Sequence, residues 1–565
     1  MAKWQSERLF GIILVMREVG AIKKRWSGRL PIALVFPNTY YLGMSNLGFQ
    51  VVYGLLNAFD EVVCERVFLP QRGEKIRSIE GGRPLRDFPV ILFSVSFEQD
   101  YPNVVKILVD SGIPPLARGR KAPLVLAGGV ATFMNPEPLA EFVDGFLVGE
   151  AEAFGHNLVE VLLEARGEKE EALFRLKERL KAIYIPAEYE PIYLPDGRLK
   201  EIRPQGGAPL PISRALAPYP PEVAPHSVIV AEDTEFADTF LLEVGRGCGR
   251  GCRFCGAGYV YRPPRPYPLS ALSRALETNP TNKVGLIGLE FADRQEIETL
   301  CRYLIDRGLA LSFSSLRADA LTDGFLELLR ATGARTATIA PEAGSERLRQ
   351  VINKGLDEAT ILEAAERLAT TGIVHLKLYF MIGLPTEEDE DLKELVALVR
   401  RIRHRLLKVS RGRGQMIDLR VSVNCFVPKP WTPFQWVGFA GVSLLKGRLS
   451  WLKRVLGKES NVTATFDLPK WAHFQAVLAR GDRRLSQLLL LLGQGVNLNK
   501  AYREVNVNPA FYAEREREKD ELFPWEVIDI GINREFLWQE YQRSLAARPG
   551  PPCRPGRCRL CGVCG

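Results

Sequence analysis

Three cysteines set the frame for this chain: Cys248, Cys252 and Cys255, in the run Gly247-Cys248-Gly249-Arg250-Gly251-Cys252-Arg253-Phe254-Cys255. Thiols this close, three and two residues apart, read as soft metal ligands rather than as a disulfide framework. Zinc and ordinary iron–sulfur sites take four protein ligands, so a structural zinc loop would have to borrow a distant fourth. A three-thiolate set can instead hold a [4Fe–4S] cluster and leave one iron open to a ligand. The apolar segment Leu241-Leu242-Glu243-Val244 runs straight into Gly245-Arg246-Gly247, so the cysteines sit on a glycine-rich loop after a β-strand.

Strand and helix signals alternate on both sides of that loop. Before it, Ile32–Phe36, Val90–Ser96, Leu124–Ala127 and Phe146–Val148 read as short buried strands, with helical periodicity over Leu47–Phe59 and Val104–Ser111. This pattern predicts a doubly wound, Rossmann-like parallel sheet, with its ligand at the carboxyl ends of the strands. After it, strands are expected at Phe240–Val244, Val284–Leu289, Leu309–Phe313, Thr336–Ala340, Leu376–Ile382 and Leu419–Val423. Helices are expected between them at Leu269–Leu276, Gln295–Arg307, Asp323–Thr332, Glu358–Thr370 and Asp391–Leu406. Six strands and five helices make a partial (β/α)6 barrel, whose chemistry collects at the strand ends. The expected organisation is an N-terminal α/β domain over 1–160, a Pro-rich connector over 161–235, the barrel over 236–440 and a mainly helical C-terminal domain over 441–565.

Composition narrows the setting. No stretch of 18 apolar residues occurs, and Phe10 to Val15 is too short to span a membrane. Seven of the ten cysteines fall in two clusters, which suits a reducing, cytoplasmic compartment. The net charge of +8 permits an acidic or nucleic-acid partner without requiring one.

The cysteine loop, with Phe254 just before the third cysteine, resembles the signature of the radical S-adenosylmethionine (SAM) superfamily. The resemblance implies that the open iron binds the amino and carboxylate groups of SAM, and that an electron from the cluster cleaves it to methionine and a 5′-deoxyadenosyl radical. It implies an electron donor of the flavodoxin or ferredoxin type. Two further strand ends are similar to the family's SAM-binding segments. Glu342, in Pro341-Glu342-Ala343-Gly344-Ser345-Glu346, matches a carboxylate that holds the ribose and amino group. Ile382 and Gly383, in Met381-Ile382-Gly383-Leu384-Pro385-Thr386-Glu387, match an adenine-flanking segment. Near the second strand Glu290 and Asp293 are the acidic residues available. No general acid, base or radical relay stands out.

The N-terminal domain resembles the cobalamin-binding (B12-binding) domain that precedes many such barrels. Ser94 and Ser96 after one strand and Gly128-Gly129 after a later one occupy the expected places. The Asp-x-His-x-x-Gly loop that supplies an axial histidine is absent, and no His precedes His156. A Rossmann-like domain that only packs on the barrel is the alternative.

The chain ends in Cys553, Cys558, Cys561 and Cys564, a complete four-ligand set for a second [4Fe–4S] cluster or a structural zinc. The basic run Arg400 to Arg413 could track an RNA backbone or be a solvated helix face. The whole layout resembles a group of iron–sulfur oxidoreductase-like proteins. It points to a radical SAM enzyme acting on an unactivated carbon, with cobalamin-dependent methylation as its finer form. The alternatives are cobalamin-independent oxidation or methylthiotransferase-like modification of RNA or protein, and a non-catalytic RNA- or ribosome-binding iron–sulfur protein. Methylthiotransferases carry a second cysteine cluster in the N-terminal domain, where this chain has only Cys64.

Overall fold

The computed structural model describes residues 17–71, 73–289, 295–313 and 316–564. Glu290 and Asp293 lie outside the described residues.

The N-terminal sheet is built from β1 (Leu30–Phe36), β2 (Val62–Phe68), β3 (Val90–Ser94), β4 (Leu124–Gly128), β5 (Gly145–Leu147) and β6 (Ile183–Tyr184). Its order is β2-β1-β3-β4-β5-β6, parallel except for β6. The strands are near-continuous apolar runs because helices cover both faces. The order reverses between β1 and β3, which places the ligand crevice of such a sheet at Pro37-Asn38 and Ser94–Ser96.

The barrel follows as β7 (Phe240–Glu243), β8 (Lys283–Ile287), β9 (Ala310–Phe313), β10 (Thr336–Glu342), β11 (His375–Ile382), β12 (Asp418–Cys425) and β13 (Val462–Phe466). β7-β8-β9 form one parallel sheet and β10-β11-β12-β13 another, joined by the parallel bridge Leu316–Ile339. The six expected strands are present. β13 adds a seventh from beyond residue 440, pairing Val421 with Ala464. Its alternation of small and hydroxyl residues at a half-exposed edge gave no apolar run to read.

The segment after 440 does not stand apart from the rest. Helix α1 (Val442–Leu456) packs beside β13. Helix α2 (Pro469–Arg480) lies against the 98–100 turn of the N-terminal domain, and α3 (Ser486–Gly493) packs on its 101–110 helix. The connector is stitched down as extended chain: Ile212-Ser213 pairs with Ile528-Asp529, and Ala215 bonds across Val148 and Glu150. No helix among the described residues is long and apolar enough to cross a membrane.

Candidate metal and cofactor site at the barrel strand ends

The cysteine loop leaves β7 and is closed at its base by antiparallel pairing of Gly245-Arg246 with Arg265-Pro266. Gly247 takes φ +86°, and a Cβ there would sit 2.4 Å from the Tyr261 carbonyl oxygen, so glycine is required. Cys248, Cys252 and Cys255 are partly exposed and form no disulfide. Cys255 N–H donates to the Cys252 carbonyl at 3.1 Å, and burial, with Cys252 beside it, pushes the Cys255 thiol up to about 11. Between them Arg253 is turned inward. It donates to the Gln350, Val351 and Arg548 carbonyls and pairs with Glu540. Phe254 packs on a small apolar cluster with Ala343, Leu384 and Phe426, which Met381 also joins.

Charged groups from the later strand ends surround the thiols. Glu342 ends β10 at φ +68°, a left-handed conformation that non-glycine residues hold only under constraint. Its carboxylate lies 3.2 Å from Lys354 Nζ, and both stand within electrostatic reach of Cys255. Burial raises the Glu342 carboxyl above its ordinary range, while Lys354 opposes the rise. Arg317 faces Cys252 and Cys248 and is held by Asp319 at 2.9 and 3.0 Å. Lys354, Arg317 and Asp319 come from loops with no motif; their part in the site was not legible in the sequence. Lys354 and Arg317 offset the negative charge of an iron–sulfur cluster ligated by thiolates, so the donor set and its surroundings fit such a group. Among the described residues no three Cys, His, Asp or Glu side chains converge at metal-binding distance. The structure therefore shows a neighbouring donor set and not a formed coordination sphere.

At the end of β11 the strand's alternation assigns each side chain to a face. Alternation along the strand buries Leu376, Leu378, Phe380 and Ile382 against the helices, and Ile382 is fully buried there. Met381, one residue earlier, is the side chain on the opposite face, where an adenine could meet it. Gly383 keeps φ +81°, and a Cβ would meet Leu445 at 2.9 Å. Its N–H donates to Glu387, whose carboxylate also pairs with Arg448. Thus the turn around Gly383 is already braced within the chain.

The same alternation gives β11 and β12 an open polar face. Lys377 pairs in register with Arg420 and Arg420 with Thr463; Tyr379 pairs with Ser422 and Ser422 with Thr465. These residues are partly or fully exposed, while their neighbours are buried. Parallel sheets are normally covered on both faces, so this uncovered polar face departs from the usual pattern.

The strand ends of the N-terminal sheet meet this site. Met134 touches Gly256, next to Cys255, and its carbonyl accepts from Trp431 Nε1 at 3.1 Å. Glu98 after β3 pairs with Lys429 after β12 and accepts from Gln475. Glu150 after β5 pairs with Arg265 and, at 3.3 Å, with Arg246. At the switch crevice Ser96 accepts from Asn46 at 3.0 Å, and Ser94 and Gly128 are partly exposed. Asp100 accepts from Asn38 at 2.6 Å while its other oxygen is buried without a partner, and burial raises it to about 6. Gly129 has a reason of its own: at φ +103° a Cβ would lie 2.5 Å from the Val95 carbonyl oxygen. The sheet's own backbone contact therefore requires glycine there, whatever ligand the crevice holds. No His stands here. Tyr40, the first residue of the short helix after β1, donates its hydroxyl to Glu18. The crevice therefore fits a ligand recognised through hydroxyls and amides, and does not fit a histidine-ligated cobalt.

Two features recede. The basic run lies on a long helix whose arginines are stapled to neighbours, Arg400 to Glu459, Arg401 to Glu358 and Arg405 to Glu366. Cys64, Cys301 and Cys425 are buried.

Comparison with known proteins agrees with this layout. Residues 48–186 match the family described as radical SAM proteins, N-terminal, and residues 242–399 match the radical SAM superfamily. The chain is 32% identical over 465 residues to the uncharacterized protein MJ0966 of Methanocaldococcus jannaschii, covering 81% of this chain and 90% of that one. It is 25% identical over 236 residues to a tRNA-2-methylthio-N(6)-dimethylallyladenosine synthase of Cereibacter sphaeroides, covering 39% of this chain and 50% of that one. Among solved structures it is similar to the cobalamin-dependent SAM radical enzyme OxsB, with TM-score 0.42, 18% identity, 66% of this chain and 52% of that chain. SuiB of Streptococcus suis bound to SAM gives TM-score 0.29, 14% identity, 42% and 51%.

Proposed function

The chain belongs to the radical SAM superfamily, and from that membership we propose an enzyme that binds a [4Fe–4S] cluster through Cys248, Cys252 and Cys255, cleaves SAM reductively there, and alters an unactivated carbon of a polar substrate. What supports this reading is that the Glu342–Lys354 pair, after the fourth barrel strand, stands within electrostatic reach of Cys255, in the loop after the first. When bound, the cluster supplies the electron for cleavage, drawn from a flavodoxin- or ferredoxin-type donor in a reducing cytoplasm.

The chain's own residues bind and orient. Glu342, fixed by its backbone and by Lys354, presents a carboxylate to the SAM amino group or ribose. Gly383 and Met381 offer a close backbone and an apolar flank to the adenine. Arg317 and Lys354 offset thiolate charge and favour the SAM carboxylate. Lys377, Tyr379, Arg420 and Ser422 line the open face for a substrate that carries hydrogen-bonding and anionic groups. RNA is the first substrate to try, because such a face suits phosphates and the second relative named above acts on tRNA by its description.

Methylation through cobalamin is the finer form of the reading. Its support is the sheet order, whose reversal falls beside Ser94 and Ser96, with Gly128 paired to Ser94 on the next strand. No step is assigned to cobalamin, because the crevice holds no imidazole.

The test is electron paramagnetic resonance of the reconstituted, dithionite-reduced protein. SAM binding at an open iron should change the signal of the reduced cluster, and Glu342→Gln should weaken that response. A signal indifferent to saturating SAM contradicts the proposal.

A further inference from the structure

The cysteine loop is held from outside by the end of the chain. Arg253 Nη2 donates to the Arg548 carbonyl at 2.8 Å. Asn353 donates to the Gly251 carbonyl at 3.1 Å and accepts from Gly550 N–H at 2.9 Å. Cys553 N–H donates to the Gly249 carbonyl at 3.4 Å. Residues 548–553 are thus laid along residues 249–253.

The last residues then fold over the short helix that follows Cys255. Asn533 N–H donates to the Cys561 carbonyl at 2.8 Å, and Cys561 is 6% exposed. Facing it is Arg262, 4% exposed. Its Nε donates to the Gly258 carbonyl at 3.1 Å, and its guanidinium lies 4.5 Å over the Tyr259 ring. Cys561 and Cys553 stand within electrostatic reach of that guanidinium. The strongest influences favouring its charge come from Tyr259, Cys561 and Cys553 and not from a carboxylate. A guanidinium cannot be neutralised by losing its proton and is costly to bury without a negative partner. A buried cation facing neutral thiols leaves charge uncompensated. The same cation facing metal-bound thiolates does not.

We propose that Cys553, Cys558, Cys561 and Cys564 form a second metal centre as four thiolates, docked on the cysteine loop, with Arg262 as the buried counter-charge that ties the two together. Each thiol gives up one proton to solvent as its sulfur binds. Zinc and a [4Fe–4S] cluster take the same four thiolates and leave the same net negative charge for Arg262 to offset. The centre goes beyond SAM cleavage at the barrel, which calls on the other three cysteines only.

The experiment uses the full chain with Cys248, Cys252 and Cys255 all changed to Ala, so that the barrel cluster cannot form. The protein is reconstituted anaerobically with iron and sulfide, or separately with zinc, and bound metal is counted. Roughly four iron and four sulfide, or one zinc, per chain is expected. Iron with sulfide makes the tail a redox centre beside the first, zinc makes it a clamp, and either carries the proposal. Adding Cys558→Ser and Cys561→Ser should abolish the binding. Adding Arg262→Gln instead should weaken retention against a chelator by about 10- to 100-fold, with Arg262→Lys recovering most of it. Absence of both metals, or metal that survives the two serine changes, overturns the centre. Undiminished retention in Arg262→Gln overturns the counter-charge. None of these outcomes depends on SAM cleavage, which this background already lacks.

Discussion

Arg253 stands between Cys252 and Cys255, and its guanidinium lies 3.0 Å from the carboxylate of Glu540, 287 residues further along the chain. Both side chains are almost fully buried. The cysteine loop and the last helix, Arg534–Leu545, are therefore one packed unit. Removing one partner of a buried ion pair strands the other charge, at a cost of about 3–5 kcal/mol. Arg253→Met should lower stability by that order in chemical denaturation and reduce iron retained by the loop. Replacing both, as Arg253→Met with Glu540→Leu, should recover part of the loss. A single variant as stable as wild type would show that the pair anchors nothing.

Glu342 is expected to contact SAM directly. A charged hydrogen bond contributes about 1.5–3 kcal/mol, so Glu342→Gln should weaken SAM binding by roughly 10- to 100-fold while the cluster's iron content stays intact. Calorimetric titration of the reconstituted protein measures the first and iron analysis the second. Loss of iron together with SAM affinity would make Glu342 a structural support of the loop.

Asp100 makes stability depend on pH. Burial raises its folded value to about 6, above the unfolded value of about 3.9. As pH rises, the unfolded chain releases this proton first, so stability falls between about pH 4 and pH 6. Asp100→Asn should erase that fall, matching wild type near pH 4 and exceeding it at pH 7 by on the order of 2 kcal/mol. Denaturant midpoints across the range decide it. A variant that tracks wild type throughout would mean the carboxylate ionises without penalty.

Gly128 and Gly129 should behave differently although they are adjacent. A methyl group at Gly129 meets the Val95 backbone, so Gly129→Ala should destabilise by about 1–3 kcal/mol with no cofactor present. At Gly128 the nearest atom is 3.6 Å away, and Gly128→Ala should be nearly silent in thermal unfolding. Equal effects would remove the distinction. Cobalamin uptake, read from the visible spectrum, is therefore probed cleanly by Gly128→Leu and not at Gly129.

The fold was legible where one physical signal dominated. Apolar runs buried on both faces marked β1, β3, β4 and β5, and the cysteine spacing marked the loop after β7. β2 went unread because Glu65 and Arg66, buried in its middle, break the apolar run. β13 was missed because an edge strand of five half-exposed residues owes its pairing to β12 and not to its own sequence. The motif marked the segment at Ile382 and Gly383 but not the phase of the strand; only the helices packed behind it fix which face Ile382 takes. Lys354 and Arg317 were invisible because a lone basic residue in a loop has no pattern until the fold brings it to a thiol. The link from Arg262 to Cys561 joins residues 299 positions apart, and a sequence carries no distance of that kind.

The central claim is that Cys248, Cys252 and Cys255 hold the cluster that cleaves SAM. Its most direct measurement is chromatographic detection of 5′-deoxyadenosine after anaerobic reduction with SAM, in wild type and in the triple alanine variant with the tail cysteines intact. The account expects 5′-deoxyadenosine and methionine from wild type and none above background from the variant. Equal product from both, or none from a wild type loaded with its cluster, would contradict it.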